Sequence, residues 1–207
     1  MARSRSALAA LLLLIWAVWA LVPPGASSSQ ATDGVLYHPV TTGARWVYRW
    51  TGEGRPAAHE VRVVTTVEKD DEAWFITVAR KEEQVDLTEQ TLRVSRGGLT
   101  RVAIGGDKLT EPLPLFTLPP RPGERWESGA NTTSVRGVER VRVPAGSFDA
   151  VRVERYMPLS GTDIYFTDWY APGTGVVKMV VRVGVEGQRA ERVGVLTSFT
   201  TGNNTTP

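Results

Sequence analysis

From Val61 to Phe199 the apolar residues of this 207-residue chain recur at every second position far more often than at every third and fourth. A period of two puts one face of an extended strand in a core and the other in water, so it selects β structure over helix. Val61, Val63, Thr65 and Val67 share a face, Lys69-Asp70-Asp71-Glu72 makes a charged turn, and Trp74, Ile76 and Val78 return as the second arm of a hairpin. The pattern predicts further strands over 85–95, 99–104, 108–113, 132–143, 148–156, 164–170, 176–183 and 192–199, with Gly97-Gly98 and Gly105-Gly106-Asp107 among the turns. With Trp46 to Trp50 included, about ten strands result, which is the grammar of a mostly antiparallel all-β fold.

One stretch breaks the alternation. Pro112, Pro114, Pro119, Pro120 and Pro122 fall between positions 112 and 123, and prolines deny N–H groups to a ladder, so the expectation is an extended loop crossing one end of a sheet. Gly43-Ala44-Arg45-Trp46 and Gly123-Glu124-Arg125-Trp126 echo one another eighty residues apart. Each reads as a turn that delivers a tryptophan into a strand; a duplicated half-sheet is the alternative.

The N-terminus has the layout of an export leader. Arg3 and Arg5 precede an uncharged run from Ala7 to Val22, and small residues follow, offering cleavage after Ala26 or Ala31. Residues 1–31 are therefore read as a signal peptide, 32–200 as a single β domain and 201–207 as a disordered tail. An uncleaved anchor is the competing reading of the leader. With no cysteine in the chain, a lipid-modified cysteine and disulfides are both excluded. Of the 24 Lys and Arg, two belong to the leader, which leaves 22 against 22 Asp and Glu. Such a balanced charge set speaks against nucleic acid, whose binding needs a clustered basic face. Membrane contact is expected to be peripheral at most, and periplasmic or extracellular release follows from leader cleavage.

The ingredients of a catalytic site are sparse. His38 and His59 are the only histidines; no Gly-x-Ser-x-Gly elbow accompanies them, and they are read as surface or edge residues. Two distant histidines without cysteine do not suggest a zinc site. Asp163 and Asp168 are the carboxylates considered for acid–base work, with no partner singled out. No catalytic residue, metal or cofactor is assigned, and the chain is expected not to be an enzyme. Aromatic residues carry more information: Trp46, Tyr48 and Trp50 alternate and so share one face of a strand. They are either core or the lining of a concave groove for an apolar ligand. Arg136, Arg140, Arg142, Arg152 and Arg155 interleave with Glu139 and Glu154, which describes a solvated face with cross-strand ion pairs; a surface for anionic lipid is the alternative reading.

Three segments carry a family resemblance. They are Tyr37-His38-Pro39 with Gly43 to Tyr48, Val143-Pro144-Ala145-Gly146-Ser147-Phe148-Asp149-Ala150-Val151-Arg152-Val153, and Asp168-Trp169-Tyr170-Ala171-Pro172-Gly173-Thr174-Gly175-Val176-Val177-Lys178. Together they resemble the TapB-like group of exported bacterial domains, itself similar to the LolA and LolB class. That resemblance implies a curved sheet or incompletely closed β-barrel. Two functions then stand side by side: a non-enzymatic envelope protein cradling a lipid or other apolar ligand, and a protein-interaction module that assists an envelope or surface assembly.

Overall fold

The computed structural model describes residues 35–202 except positions 53, 84, 186 and 187. The leader read from residues 1–31 and the tail positions 203–207 lie outside the described residues. Twelve strands follow one another: β1 Arg45–Gly52, β2 Arg55–Asp70, β3 Ala73–Glu82, β4 Val85–Ser95, β5 Gly98–Ile104, β6 Asp107–Thr117, β7 Arg125–Ser128, β8 Asn131–Val143, β9 Gly146–Leu159, β10 Thr162–Ala171, β11 Gly175–Val185 and β12 Gln188–Thr200. All pairings are antiparallel, and the described residues include no helix. The strands form one sheet in the order β6-β5-β4-β3-β2-β1-β12-β11-β10-β9-β8-β7. It curls into a nearly closed barrel whose one unsealed seam lies between β6 and β7. The all-β, mostly antiparallel, incompletely closed architecture is thus the one the alternation and the resemblance led us to expect.

Two departures from the expected elements share a cause. Residues 112–117, expected in a crossing loop, belong to β6, where Leu113 pairs with Arg101 and Phe116 with Leu99. Prolines are tolerated there because β6 borders the seam, and an edge strand can turn a position without N–H away from its one neighbour. Across the seam lies β7, a four-residue strand of sequence Arg-Trp-Glu-Ser that carries no apolar alternation to announce it. The seam is bridged instead by side chains: Trp126 Nε1 donates to Pro114 O at 2.6 Å and Thr117 Oγ1 to Glu124 Oε2 at 2.7 Å.

The sheet order consists of two six-stranded meanders placed end to end, β1–β6 and β7–β12. Their entries repeat bond for bond. Gly43 N donates to Val64 O at 2.9 Å and Gly123 N to Val135 O at 2.8 Å; Val64 N donates to Ala44 O and Val135 N to Glu124 O, both at 2.9 Å. Gly43 and Gly123 both adopt positive φ, 80° and 86°, a conformation that glycine reaches without strain. A β-bulge follows each valine, between Val64 and Thr66 and between Val135 and Gly137. The echoed Gly-x-Arg-Trp is therefore the entry turn of each meander.

Inward-facing residues fill the barrel. Ile76, Leu92, Val94, Leu99, Leu115, Phe116, Val135, Val151, Val153, Val177 and Leu196 are among its buried core. Tyr37, Phe116 and Tyr170 form a chain of aromatic contacts at 5.2 and 5.1 Å. One end is also tied by the β8–β9 turn, where Ala145 N donates to Leu196 O at 3.1 Å.

Candidate functional site

The three aromatic residues singled out from the sequence lie together on β1, facing inward. Trp46 and Tyr48 are each 2% exposed and Trp50 8%. Trp46 Nε1 donates to Thr174 O at 2.6 Å and the Tyr48 hydroxyl to Val176 O at 2.8 Å, so both side chains supply donors to carbonyls at the start of β11. The Trp50 ring lies against Gly194, where a Cβ would come within 2.9 Å of it, and Arg192 stacks over the ring at 5.2 Å. The space left among Trp46, Tyr48, His38, Arg62, Gln90 and Tyr170 is a cavity of about 20 Å³, room for a single water.

His38 is not at the surface, as the sequence reading had it. It is buried against Trp46, with ring centroids 4.9 Å apart, because Tyr37-His38-Pro39 crosses the barrel end before the Gly43 turn. Its Nδ1 lies 3.0 Å from Pro39 O. Desolvation lowers its pKa to about 4; the bond to Pro39 works the other way, and Arg62 adds to the lowering. His59 is exposed on β2.

Charged groups also enter the barrel. Burial alone would lower the pKa of Arg62, yet Glu89 at 3.1 Å and Glu60 at 2.7 Å outweigh burial and raise it. Arg155 pairs with Asp168 at 2.7 Å and stacks over Phe166 at 4.7 Å. Arg101 has no carboxylate within ion-pair distance among the described residues; its Nε donates to Gln90 Oε1 at 2.8 Å, and burial, followed by Arg155, brings its pKa down to about 10. Arg62 and Arg155 are thus paired with carboxylates, whereas Arg155 Nε, Arg80 Nε and Trp50 Nε1 are buried without a hydrogen-bond partner among the described residues. Asp163 and Asp168, five positions apart on β10, face opposite sides of the sheet and cannot act as a pair. Asp168 holds Arg155 inside, whereas Asp163 accepts the Tyr156 hydroxyl at 2.8 Å outside. Among the described residues no three His, Asp or Glu side chains gather in a metal-binding group.

A large concavity lies on the other face of the sheet, an open groove of about 770 Å³ crossing the second meander. Register builds its floor: Thr132 pairs with Tyr156, Tyr156 with Tyr165, Tyr165 with Arg182, and Arg182 with Glu191. The second row is Arg125, Ser134, Glu154 and Thr167. Tyr156 and Tyr165 stack at 5.0 Å, and Tyr165 is 46% exposed. Arg136 Nε donates to Glu154 at 2.8 Å and Arg182 Nε to Glu191 at 2.6 Å. Burial alone would raise the Glu154 carboxyl, but hydrogen bonds from Arg136 and Arg152 prevail and hold it below the usual range. The hydrogen bond to Asp163 raises the Tyr156 phenol. Sequence reasoning passed over the two tyrosines. A hairpin turn centred on Ser160-Gly161 sets position 156 opposite 165, and that symmetry was the available signal.

Neither a protein-family model nor a curated protein matches the chain. Solved structures do. A “putative lipoprotein” of Parabacteroides distasonis ATCC 8503 superposes with a TM-score of 0.50 at 13% identity, over 81% of this chain and 100% of that one. A “putative exported protein with YmcC-like fold” of Bacteroides fragilis NCTC 9343 gives 0.54 at 14% identity, over 80% and 99%. At such identities the likeness is one of fold, and the shared fold is the nearly closed barrel.

Proposed function

We propose that the chain is an exported, non-enzymatic cell-envelope protein that works by binding, through the open groove of its second meander. The observation that carries this reading is the contrast in space: about 770 Å³ in the groove against about 20 Å³ beside Trp46 and Tyr48 in the barrel. A lipid chain needs a pocket of several hundred Å³, so a carrier role in the barrel would require Trp46, Tyr48 and their neighbours to separate. The interaction-module reading needs no such rearrangement. Export is supported by the leader pattern, by the TapB-like resemblance and by the descriptions of the two structural neighbours as a “putative lipoprotein” and a “putative exported protein”.

Fractionation with N-terminal sequencing tests the first half: mature protein starting near Ser27 or Thr32 is expected outside the inner membrane. Solvent extraction of natively purified protein tests the second. Recovery of a stoichiometric lipid would return the function to the barrel interior.

A further inference from the structure

The chemistry of the groove narrows its ligand, on the premise that the groove is the binding face. Among the described residues four of its arginines, Arg125, Arg136, Arg182 and Arg189, line the groove with two glutamates, Glu154 and Glu191; Glu127 lies 3.4 Å from Arg125, Arg152 shares Glu154, Asp163 is bound to the Tyr156 hydroxyl, and the fifth lining arginine, Arg155, is neutralised inside by Asp168. Each lining glutamate is held through an arginine Nε. The two terminal guanidinium nitrogens of Arg136 and of Arg182, the pair that can grip a carboxylate end-on, have no other partner among the described residues. Pairing with glutamate thus orients the guanidinium without exhausting it. Arg125 and Arg136 sit at the β7–β8 end, Arg182 and Arg189 at the β11–β12 end, and the Tyr156–Tyr165 stack lies between them.

Six strands at about 4.8 Å spacing make a floor roughly 24 Å long, the reach of about seven residues of extended chain. Tyrosine and arginine are the residue types that anchor protein interfaces. A concave floor keeps a flat bilayer away, and two tyrosines among hydroxyl and charged groups do not make a trough for an acyl chain.

We propose that the groove binds an extended acidic peptide segment of a partner protein, with carboxylates at its two ends on the arginine pairs and an apolar or aromatic side chain over the tyrosine stack. The test uses the mature protein and a fluorescein-labelled acidic nonapeptide with one central phenylalanine, read by anisotropy. Controls are the same peptide with lysines for its acids, a polygalacturonate oligomer and phosphatidylglycerol vesicles. The acidic peptide is expected to bind in a salt-sensitive way and the basic one not. The double variant Arg136→Gln/Arg182→Gln should lose about tenfold or more in affinity, and Tyr165→Ala should weaken binding too, with circular dichroism and melting temperature unchanged.

Equal binding of both peptides, or acidic-peptide binding indifferent to all three substitutions, would overturn the proposal. If only the oligogalacturonate or the vesicles bind, and the same variants abolish it, the peptide is wrong and the groove stands. If no probe responds to any groove substitution, the groove reading falls as well.

Discussion

The β1–β12 and β6–β7 junctions occupy corresponding places in the repeat, since each joins the first strand of one meander to the last strand of the other. Across β1–β12 the ladder runs from Arg45 opposite Thr200 to Gly52 opposite Arg192, and Trp46, Tyr48 and Trp50 fill the space behind it. Across β6–β7 the described residues form no ladder. Among the described residues the Trp126 indole links β7 to β6 and the Thr117 hydroxyl reaches Glu124 just ahead of β7, beside Pro112 and Pro114. The comparison teaches that a barrel of this kind need not be closed by symmetry. Proline in one edge strand and brevity in the other are enough to leave a seam, because the backbone groups that would close it are missing or have run out.

The largest effect should fall on the sealed side. Trp46→Ala should cost about 3–5 kcal/mol, the range for a fully buried large aromatic. Trp126→Ala, which truncates its partly buried counterpart at the seam, should cost about 1–2 kcal/mol. Urea denaturation of both variants measures the difference, and equal losses would erase the distinction between the junctions.

Acid should also act on the sealed junction first, through His38. Its folded pKa of about 4 lies below the ordinary 6.5, so the unfolded chain binds the proton more readily between those values. The stability this contributes is therefore complete above pH 6.5 and is lost as pH falls toward 4, by up to about 3 kcal/mol. Wild type and His38→Gln, unfolded in urea at pH 7.5, 6 and 5, should converge in stability as pH falls. Parallel curves would mean that His38 does not titrate in this window.

The smallest effect tests what leaves the seam open. Pro114→Val restores an N–H on β6 and should change stability by about 1 kcal/mol or less, while hydrogen exchange at the β7 amides slows. Unchanged exchange would show that the short β7, and not proline, limits closure.

How much of this was legible in the sequence varies with the kind of signal. Alternation located eleven of the strands because half-buried antiparallel strands must alternate. It missed β7, whose four residues include one apolar side chain, and it misplaced the second half of β6, since proline reads as loop wherever the edge of a sheet is unknown. Trp46, Tyr48 and Trp50 were correctly put on one face, but whether that face was core or groove depended on what β11 and β12 bring opposite, well over a hundred residues away. The groove was less legible still. Thr132, Tyr156, Tyr165, Arg182 and Glu191 come from five strands, and only pairing register aligns them.

The pairing of β1 with β12 also decides where covalent continuity is needed. Arg45 and Thr200 stand side by side, so the barrel's polypeptide enters and leaves at one place, while the peptide link from Thr117 to Arg125 spans the place where hydrogen bonding is weakest. Backbone connection and ladder are thus complementary around the circumference. A circularly permuted chain, joined across Thr200 and Arg45 by a short linker and opened near Gly123, would move the covalent bond to the junction that does not need it. The other would be left to Trp126 and Thr117 alone.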